Sequence, residues 1–297
     1  FRVNRFSLPI YSGLSYLLTF FSKTINMNTP QKTINLIDSA LEEEQESGHR
    51  RHLGGSIIGR PCERSLWYVF RWAKKERFDA RMLRLFSRGH EEEDRIIRWL
   101  RKGGITVWDR DAETGKQYRI EDCGGHFGGS LDGICYGLPD LPNEYVLLEF
   151  KTSSAKMFKK LKDGVLIGKP EHYAQMQVYM HKRGLKNALY IAVNKDNDEM
   201  HLELVAYNMG QAFANIKKAH GIISSPQPPA RPQGYTINNL ECSWCNFRGI
   251  CHGEEEMEKH CRSCKHSYPA EESSWGCSNG RVFGVVCGGY EQIKSDD

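Results

Sequence analysis

The spacing of hydrophobic and polar positions changes several times between residues 29 and 223. Apolar residues three and four apart indicate helices, whereas alternation of apolar and polar residues indicates strands. The helical spacing predicts helices that start at Thr29 and Pro61 and others over Asp79–Lys102, Ser154–Leu161, Pro170–Arg183 and Gly210–Ile223. The alternating pattern predicts strands over Ile105–Arg110, Gln117–Glu121, Phe127–Cys135, Tyr145–Lys151, Asn187–Val193 and His201–Ala206. This mixture of elements predicts an α/β fold.

Two consecutive predicted strands carry charged residues within apolar surroundings. Asp132 stands in a glycine-flanked run, and Glu149 and Lys151 close the next strand. Because side chains alternate along a strand, Glu149 and Lys151 point to one face and Phe150 to the other. Two carboxylates and the Phe150 carbonyl oxygen are suitable ligands for a hard divalent ion. An isolated acid beside a strand lysine is more often part of a solvated face, so the neighbouring motifs decide its meaning.

The order of these motifs resembles that of the PD-(D/E)XK nuclease superfamily. Asp132 is followed by a short insertion and then by the Glu-Phe-Lys sequence of residues 149–151. Gln175 and Tyr179 resemble the QxxxY motif of the RecB-like branch and lie on the helix just beyond that strand. The resemblance implies a restriction-endonuclease-like core, in which a mixed central sheet is flanked by helices, and metal-dependent hydrolysis of phosphodiester bonds.

The long helix over residues 79–102 carries a further acid that the resemblance selects. Related nucleases place a glycine, followed four residues later by Glu or His, on a core helix. Here that spacing picks Gly89 and Glu93, with Glu92 and His90 as rivals on neighbouring faces. Many iron-sulfur relatives carry histidine where this chain has Glu93. Without the resemblance, an acidic cluster on a helix indicates a solvated surface.

The resemblance implies one active site built from these elements. Its implied metal ligands, for Mg²⁺ or Mn²⁺, are Glu93, Asp132, Glu149 and the Phe150 carbonyl. Lys151 would orient or help deprotonate the attacking water, and Gln175 and Tyr179 would shape the site and contact DNA. Three lysines of the following helix would face phosphates or simply keep that helix soluble: Lys156, Lys159 and Lys160.

Eight of the ten cysteines fall into two sets, which leaves Cys123 and Cys135 as ordinary residues. Cys-x2-Cys spacings in an intracellular-looking chain suggest metal before disulfides. The first set is Cys242, Cys245 and Cys251, with Cys62 available far upstream as a fourth ligand. This layout resembles the iron-sulfur staple of the AddB subunit and of the CRISPR-associated RecB-like exonuclease, which implies a [4Fe–4S] cluster. The alternative is zinc, with Cys62 or His252 as the fourth ligand.

The second set of thiols has the spacing of a small zinc ribbon and comprises Cys261, Cys264, Cys277 and Cys287. His260 or His266 could replace one thiolate. This ribbon is an addition to the family pattern. Its role stays open between guidance of a DNA strand, docking of a protein and stability.

Length and charge set limits on this interpretation. The chain has 297 residues and a formal net charge of +4, which permits nucleic acid without requiring it. The apolar run from Leu8 to Phe21 is interrupted and too short to span a bilayer, so we expect no membrane partner and a cytoplasmic location. The predicted divisions are a disordered or non-native extension (1–26), a nuclease core (27–224), a Pro-rich linker (225–234), an iron-sulfur segment (235–256) and a zinc-ribbon-like module (257–297).

The sequence therefore predicts a metal-dependent deoxyribonuclease, foremost an exonuclease acting on DNA ends or single strands. Its context would be recombination or repair, in a phage or a CRISPR system, with proteins of those pathways as further partners. The same active site would serve an endonuclease for branched or specific DNA. A third reading is an idle scaffold that binds DNA ends, although the intact Asp132, Glu149 and Lys151 argue against it.

Overall fold

A computed structural model of the chain describes residues 30–45, 49–284 and 287–294. The predicted extension over residues 1–26 lies outside this part. The helices are α1 (Gln31–Glu44), α2 (Glu63–Phe70), α3 (Ala80–Lys102), α4 (Ala155–Lys160), α5 (Val165–Gly168), α6 (Pro170–Arg183), α7 (Met209–Ser224), α8 (Leu240–Ser243) and α9 (Arg248–Cys251). The strands are β1 (Leu53–Gly54), β2 (Thr106–Trp108), β3 (Arg119–Asp122), β4 (Phe127–Ser130), β5 (Gly133–Leu138), β6 (Leu141–Ser153), β7 (Asn187–Asn194), β8 (Met200–Ala206), β9 (Ser267–Pro269) and β10 (Trp275–Cys277).

The central sheet has five strands in the order β2-β5-β6-β7-β8. Strands β6 and β7 are parallel, and the other neighbours are antiparallel. A parallel pair needs a crossover, which here runs through α4, α5 and α6. Helix α3 packs on one side of β6 and helix α6 on the other. The prediction of a mixed α/β fold, with a mixed central sheet between helices, is confirmed.

Strand β6 shows why this sheet needs helices on both faces. Leu147 packs in the core under α6, and the alternating Glu149 lies on the same side, fully buried. Val146, Leu148 and Phe150 pack on the opposite side with the apolar residues of α3. Over residues 146–150 the strand is buried and is apolar on both faces except at Glu149, so this charge is held inside a packed layer, with Lys151 next to it.

The predicted strand over Phe127–Cys135 is wrong, because the structure divides it into β4 and β5. Strand β4 belongs to a small sheet of order β1-β4-β3, whereas β5 belongs to the central sheet. The fully buried Leu131 lies at the crossing, and its N–H donates to the Tyr118 carbonyl over 2.8 Å. Asp132 therefore stands between two strands and not on one. The alternation of side chains along β4 or β5 therefore does not decide which way the Asp132 side chain points.

The helix ends follow their sequence signals. Asp79 accepts a hydrogen bond from the Met82 N–H at the start of α3, as an N-cap should. Gly184 ends α6 in the left-handed conformation, at φ +66°. Helix α2 starts at Glu63, two residues after the predicted start at Pro61, with Cys62 as its N-cap residue.

The C-terminal segments pack on α2 and share its core. Phe247, Ile250, Met257, Trp275 and Ile293 belong to the same hydrophobic cluster as the apolar face of α2. The Pro-rich stretch is also bound to this helix, through hydrogen bonds from α2 side chains to the carbonyls of residues 225 and 229. Strands β9 and β10 form a hairpin in the last segment. Within the described ranges, no helix combines the length and the apolar character that crossing a bilayer requires.

Candidate active site

The charged end of β6 and the loop that follows β4 meet at one point. The Phe150 N–H donates to Asp132 Oδ2 over 2.7 Å. Lys151 Nζ pairs with Glu149 Oε1, donates to the Phe150 carbonyl over 2.9 Å and lies 3.9 Å from Asp132 Oδ2. The three charged residues that the sequence selects are therefore within contact of one another.

Helix α6 closes the buried side of this group. Gln175 Nε2 donates to Glu149 Oε2 over 2.9 Å, so both oxygens of Glu149 have partners. Gln175 is 4 % exposed, and its Oε1 has no hydrogen-bond partner among the described residues. The helix thus fixes the carboxylate of Glu149, and the side chain that fixes it has one buried acceptor without a partner among the described residues.

Burial and crowding of carboxylates shift the protonation of these groups. Burial, and then the charge of Asp132, raises the pKa of Glu93 to about 7. Burial also raises the pKa of Glu149 to about 8, against the attraction of Lys151. Burial would lower the pKa of Lys151, but Glu149 and Asp132 raise it well above its ordinary range. The site holds more acid than one ammonium can balance, which is the electrostatic character of a cation site.

The geometry separates Glu93 from its rivals on α3. Glu92 is buried and pairs with Arg95 over 3.0 Å, so its carboxylate is already engaged along the helix. His90 is exposed. Glu93 interacts with the charges of Asp132 and Lys151. The position of Glu93 agrees with the predicted metal ligand, and the role itself stays a prediction.

Tyr179 lies against two glycines of the small sheet. It is 2 % exposed, and a Cβ on Gly129 would lie 2.0 Å from its Oη. A Cβ on Gly55 would lie 2.5 Å from its Cε1. Burial, and then the charges of Glu149 and Asp132, raises the pKa of Tyr179. The ring therefore has its place only because both positions lack a side chain.

Substitution of Gly129 by alanine is expected to destabilise the protein by about 2 kcal/mol, because the added methyl overlaps the Tyr179 hydroxyl in a packed interior. In a Tyr179→Phe background the penalty should shrink, since the nearest remaining ring atom is Cζ at 2.9 Å. Thermal and urea unfolding of the two single variants and the double variant give the coupling free energy. Additive effects of the two substitutions would contradict the contact.

Two residues near Lys151 were not singled out from the sequence. His172 Nδ1 and the Tyr190 hydroxyl are 2.9 Å apart, and Tyr190 is opposite Glu149 in the β6–β7 register. Burial, and then Lys151, lowers the pKa of His172 to about 3, so this histidine is neutral. Its position three residues before Gln175 places both on one face of α6, a signal that the sequence did contain. Tyr190 had no such signal.

The predicted DNA-contacting lysines lie on α4, directly beyond the end of β6. Lys156, Lys159 and Lys160 are all exposed. Their side chains are free to face a ligand, and their DNA contact stays a prediction.

The first cysteine set comes together across a long sequence separation. Cys62, Cys242, Cys245 and Cys251 line one cavity of about 760 Å³. Burial, and then the charges of the other three thiols, raises the pKa of Cys242. His252, the alternative ligand, lines the same cavity, and its Nδ1 is 3.1 Å from Arg231 Nη1.

The second cysteine set also surrounds a single, much smaller space. Its four members line a cavity of about 30 Å³, and Cys261 Sγ accepts the Gly284 N–H over 3.2 Å. Of the two alternative histidines, His260 has its Nε2 2.6 Å from the Trp72 carbonyl oxygen. His266 lines the same cavity as the four cysteines and contacts Glu291 over 3.1 Å.

A group that the sequence did not predict brings together Asp122, Cys123 and His220. Over the described residues, it is the one trio of potential ligand atoms that all lie within 4.8 Å of one another. Asp122 is also paired with Lys182 over 2.5 Å and with His220 over 3.3 Å. Burial, and then Asp122, raises the pKa of Cys123 to about 12, so its thiol keeps its proton. No three sulfur atoms of either cysteine set therefore all lie within 4.8 Å of one another.

Comparison with known proteins gives structural likenesses only. No family model matches the chain, and no curated protein matches it. The structure of SSO0001 is similar with a TM-score of 0.42 and 17 % identity, covering 76 % of this chain and 98 % of that one. A complex of LHK-Exo with dAMP has a TM-score of 0.42 and 17 % identity, covering 63 % and 90 %. The alkaline exonuclease LHK-Exo from Laribacter hongkongensis has a TM-score of 0.42 and 16 % identity, covering 62 % and 90 %. Likenesses at this level assign neither a family nor an activity to the chain.

Proposed function

We propose that this protein is a metal-dependent nuclease of PD-(D/E)XK type that hydrolyses phosphodiester bonds in DNA, foremost from ends or in single strands. The observation that supports this is the convergence of Asp132, Glu149 and Lys151 around the Phe150 backbone. Gln175 of α6 holds the second oxygen of Glu149. DNA is the proposed partner, in a cytoplasmic recombination or repair process with other proteins.

The donor set at the site suits Mg²⁺ or Mn²⁺. Glu93, Asp132, Glu149 and the Phe150 carbonyl would hold the ion, since hard cations take oxygen ligands. Two observations favour this fit: the raised pKa values of Glu93 and Glu149, and the partnerless Oε1 of Gln175. When bound, such an ion supplies stabilisation of the charge that develops on the phosphate.

The side chains of the protein would orient the reacting groups and balance their charge. Lys151 would orient the attacking water and offset negative charge on the phosphate, because its ammonium already lies between two carboxylates. Gln175 would keep Glu149 in one orientation. Tyr179 would shape the wall of the site above Gly129.

Each cysteine set would hold its own metal group. The first set lines a cavity of about 760 Å³, and no three of its sulfur atoms all lie within 4.8 Å of one another. Both features favour a [4Fe–4S] cluster over one zinc ion, which needs thiolates about 4 Å apart. The cavity of the second set has room for about one ion, although its thiols would have to draw together around zinc. Iron, sulfide and zinc contents of anaerobically purified protein test both assignments.

The activity is tested by digestion of end-labelled single-stranded, duplex and covalently closed circular DNA with Mg²⁺ or Mn²⁺. We expect metal-dependent loss of linear DNA, abolished by Asp132→Asn. The matched control is Asp140→Asn, which makes the same change at an exposed position of the β5–β6 hairpin. Cutting of closed circles would show that the protein is an endonuclease and not an exonuclease. Binding of DNA without any metal-dependent cleavage would reject the nuclease and favour the scaffold.

A further inference from the structure

The small sheet β1-β4-β3 presents two unlike faces. Leu53, Phe127 and Ile120 point to the core. The alternate positions form the outward face, where Gly54 pairs with Gly128. Both glycines are buried, and the side chain of Arg50 lies over Gly54.

Two arginines stand on this outward face. Arg119 of β3 is opposite Ser130 of β4, and its side chain is 45 % exposed. Arg50 reaches over β1, because a Cβ on Gly54 would lie 2.2 Å from its Nη1. Arg119 belongs to β3, whereas Arg50 precedes β1 and lies over it. Strands β1 and β3 flank β4 and are about 10 Å apart.

Positive charge dominates this face. Burial, and then Arg50, Arg119 and Arg262, lowers the pKa of the adjacent His52 to about 4. Arg119 has one acidic neighbour, Glu121, at 3.9 Å in an exposed pair, which is worth little. Arg50 and Arg119 are near enough for their charges to interact, and the weak pair with Glu121 leaves the face positively charged, which favours an anionic ligand.

The charged face leads directly into the candidate active site. Strand β4 ends at Ser130, opposite Arg119, and Asp132 follows two residues later, at most about 7 Å along the chain. A strand whose reacting phosphate lies at Asp132 would continue over the sheet. Its neighbouring phosphates would then come within reach of the two arginines.

We propose that Arg50 and Arg119 bind backbone phosphates of the nucleic-acid strand, next to the reacting phosphate, on the outward face of the small sheet. This inference rests on the proposed nuclease function and names the surface along which the substrate enters. The contacts are to phosphate, so they supply affinity and register without reading the sequence.

The test measures how the affinity for fluorescein-labelled oligothymidylate depends on KCl concentration, by fluorescence anisotropy in the inactive Asp132→Asn background. Each phosphate contact on a single strand contributes about 0.7 to the slope of log K against log salt. We expect Arg50→Ala and Arg119→Ala each to reduce the slope by about 0.7, and the double variant by about 1.4. Lysine at either position should keep the slope, because the contact is one of charge.

Lys102→Ala is the matched control and should leave the slope unchanged. This lysine is exposed and lies nine residues beyond Glu93, about 14 Å farther along α3. Unchanged slopes in the arginine variants, with salt-dependent binding by the parent, would overturn the phosphate contacts and leave the nuclease intact. No binding by the parent, together with no cleavage by the unmodified protein, would reject the function itself.

Discussion

Replacement of Lys151 by alanine is expected to lower the single-turnover rate of DNA cleavage about a thousandfold, while the affinity for DNA changes little. The ammonium pairs with Glu149, donates to the Phe150 carbonyl and lies 3.9 Å from Asp132. It is therefore placed to act where charge develops on the phosphate. Binding of the remaining strand involves other contacts, so a loss confined to the rate would identify a role in the transition state.

The measurement is a rapid-quench time course with excess enzyme and labelled DNA, paired with anisotropy for affinity. Lys102→Ala is the control for removal of an exposed lysine, and thermal unfolding checks that the variant folds. Lys151→Arg should recover only a small part of the rate, because a planar guanidinium does not fit among contacts made by a compact ammonium. Retention of more than about a tenth of the rate in Lys151→Ala would contradict the assigned position.

The candidate site was largely predictable where local periodicity carries the information. Alternation in β6 places Glu149 and Lys151 together. Helical spacing places Gln175 and Tyr179 on one face of α6, which packs over that strand. Periodicity of this kind needs no knowledge of the rest of the fold. The same patterns predicted a mixed α/β fold, whereas the mixed central sheet between helices was implied by the family resemblance.

Features that depend on contacts between distant segments could not be read in this way. The sequence from Phe127 to Cys135 contains an Asp-Gly turn signal at residues 132–133, but this signal alone does not show that the chain passes from one sheet to another there. Tyr190 joins the site through the register of β6 with β7. Gly129 looks like a weak strand residue until Tyr179 is seen above it.

The C-terminal segment also makes contacts with distant residues that its sequence does not predict. Cysteine spacing alone suggested a small module with a core of its own. The structure instead inserts Arg262 of that segment beside α2, and Arg71 of the helix end donates to the Ser267 carbonyl in return. Both arginines are almost fully buried, although arginine is seldom buried in proteins.

Replacement of Arg262 by alanine should lower the free energy of unfolding by about 3 kcal/mol. The guanidinium is 3 % exposed and donates to the Phe70 carbonyl over 3.1 Å and the Arg51 carbonyl over 2.9 Å. Its carbon lies 3.7 Å from the Trp72 ring centroid. Truncation removes two charge-assisted hydrogen bonds and the cation–π contacts with Phe70, Trp72 and Trp275, and it leaves a cavity. The loss is offset in part because a charged group is no longer buried.

Calorimetry should show the melting temperature of Arg262→Ala lowered by roughly 6–10 °C. Arg281→Ala is the matched control in the same segment, since Arg281 is exposed, and it should melt within about 2 °C of the unmodified protein. Arg262→Lys should also melt early, because an ammonium cannot bridge both carbonyls and lie flat on the ring. An Arg262→Ala protein as stable as the control would mean that the C-terminal segment folds without bracing α2. Early melting would show that this segment stabilises Arg51, strand β1 and the small-sheet face along which DNA is proposed to lie.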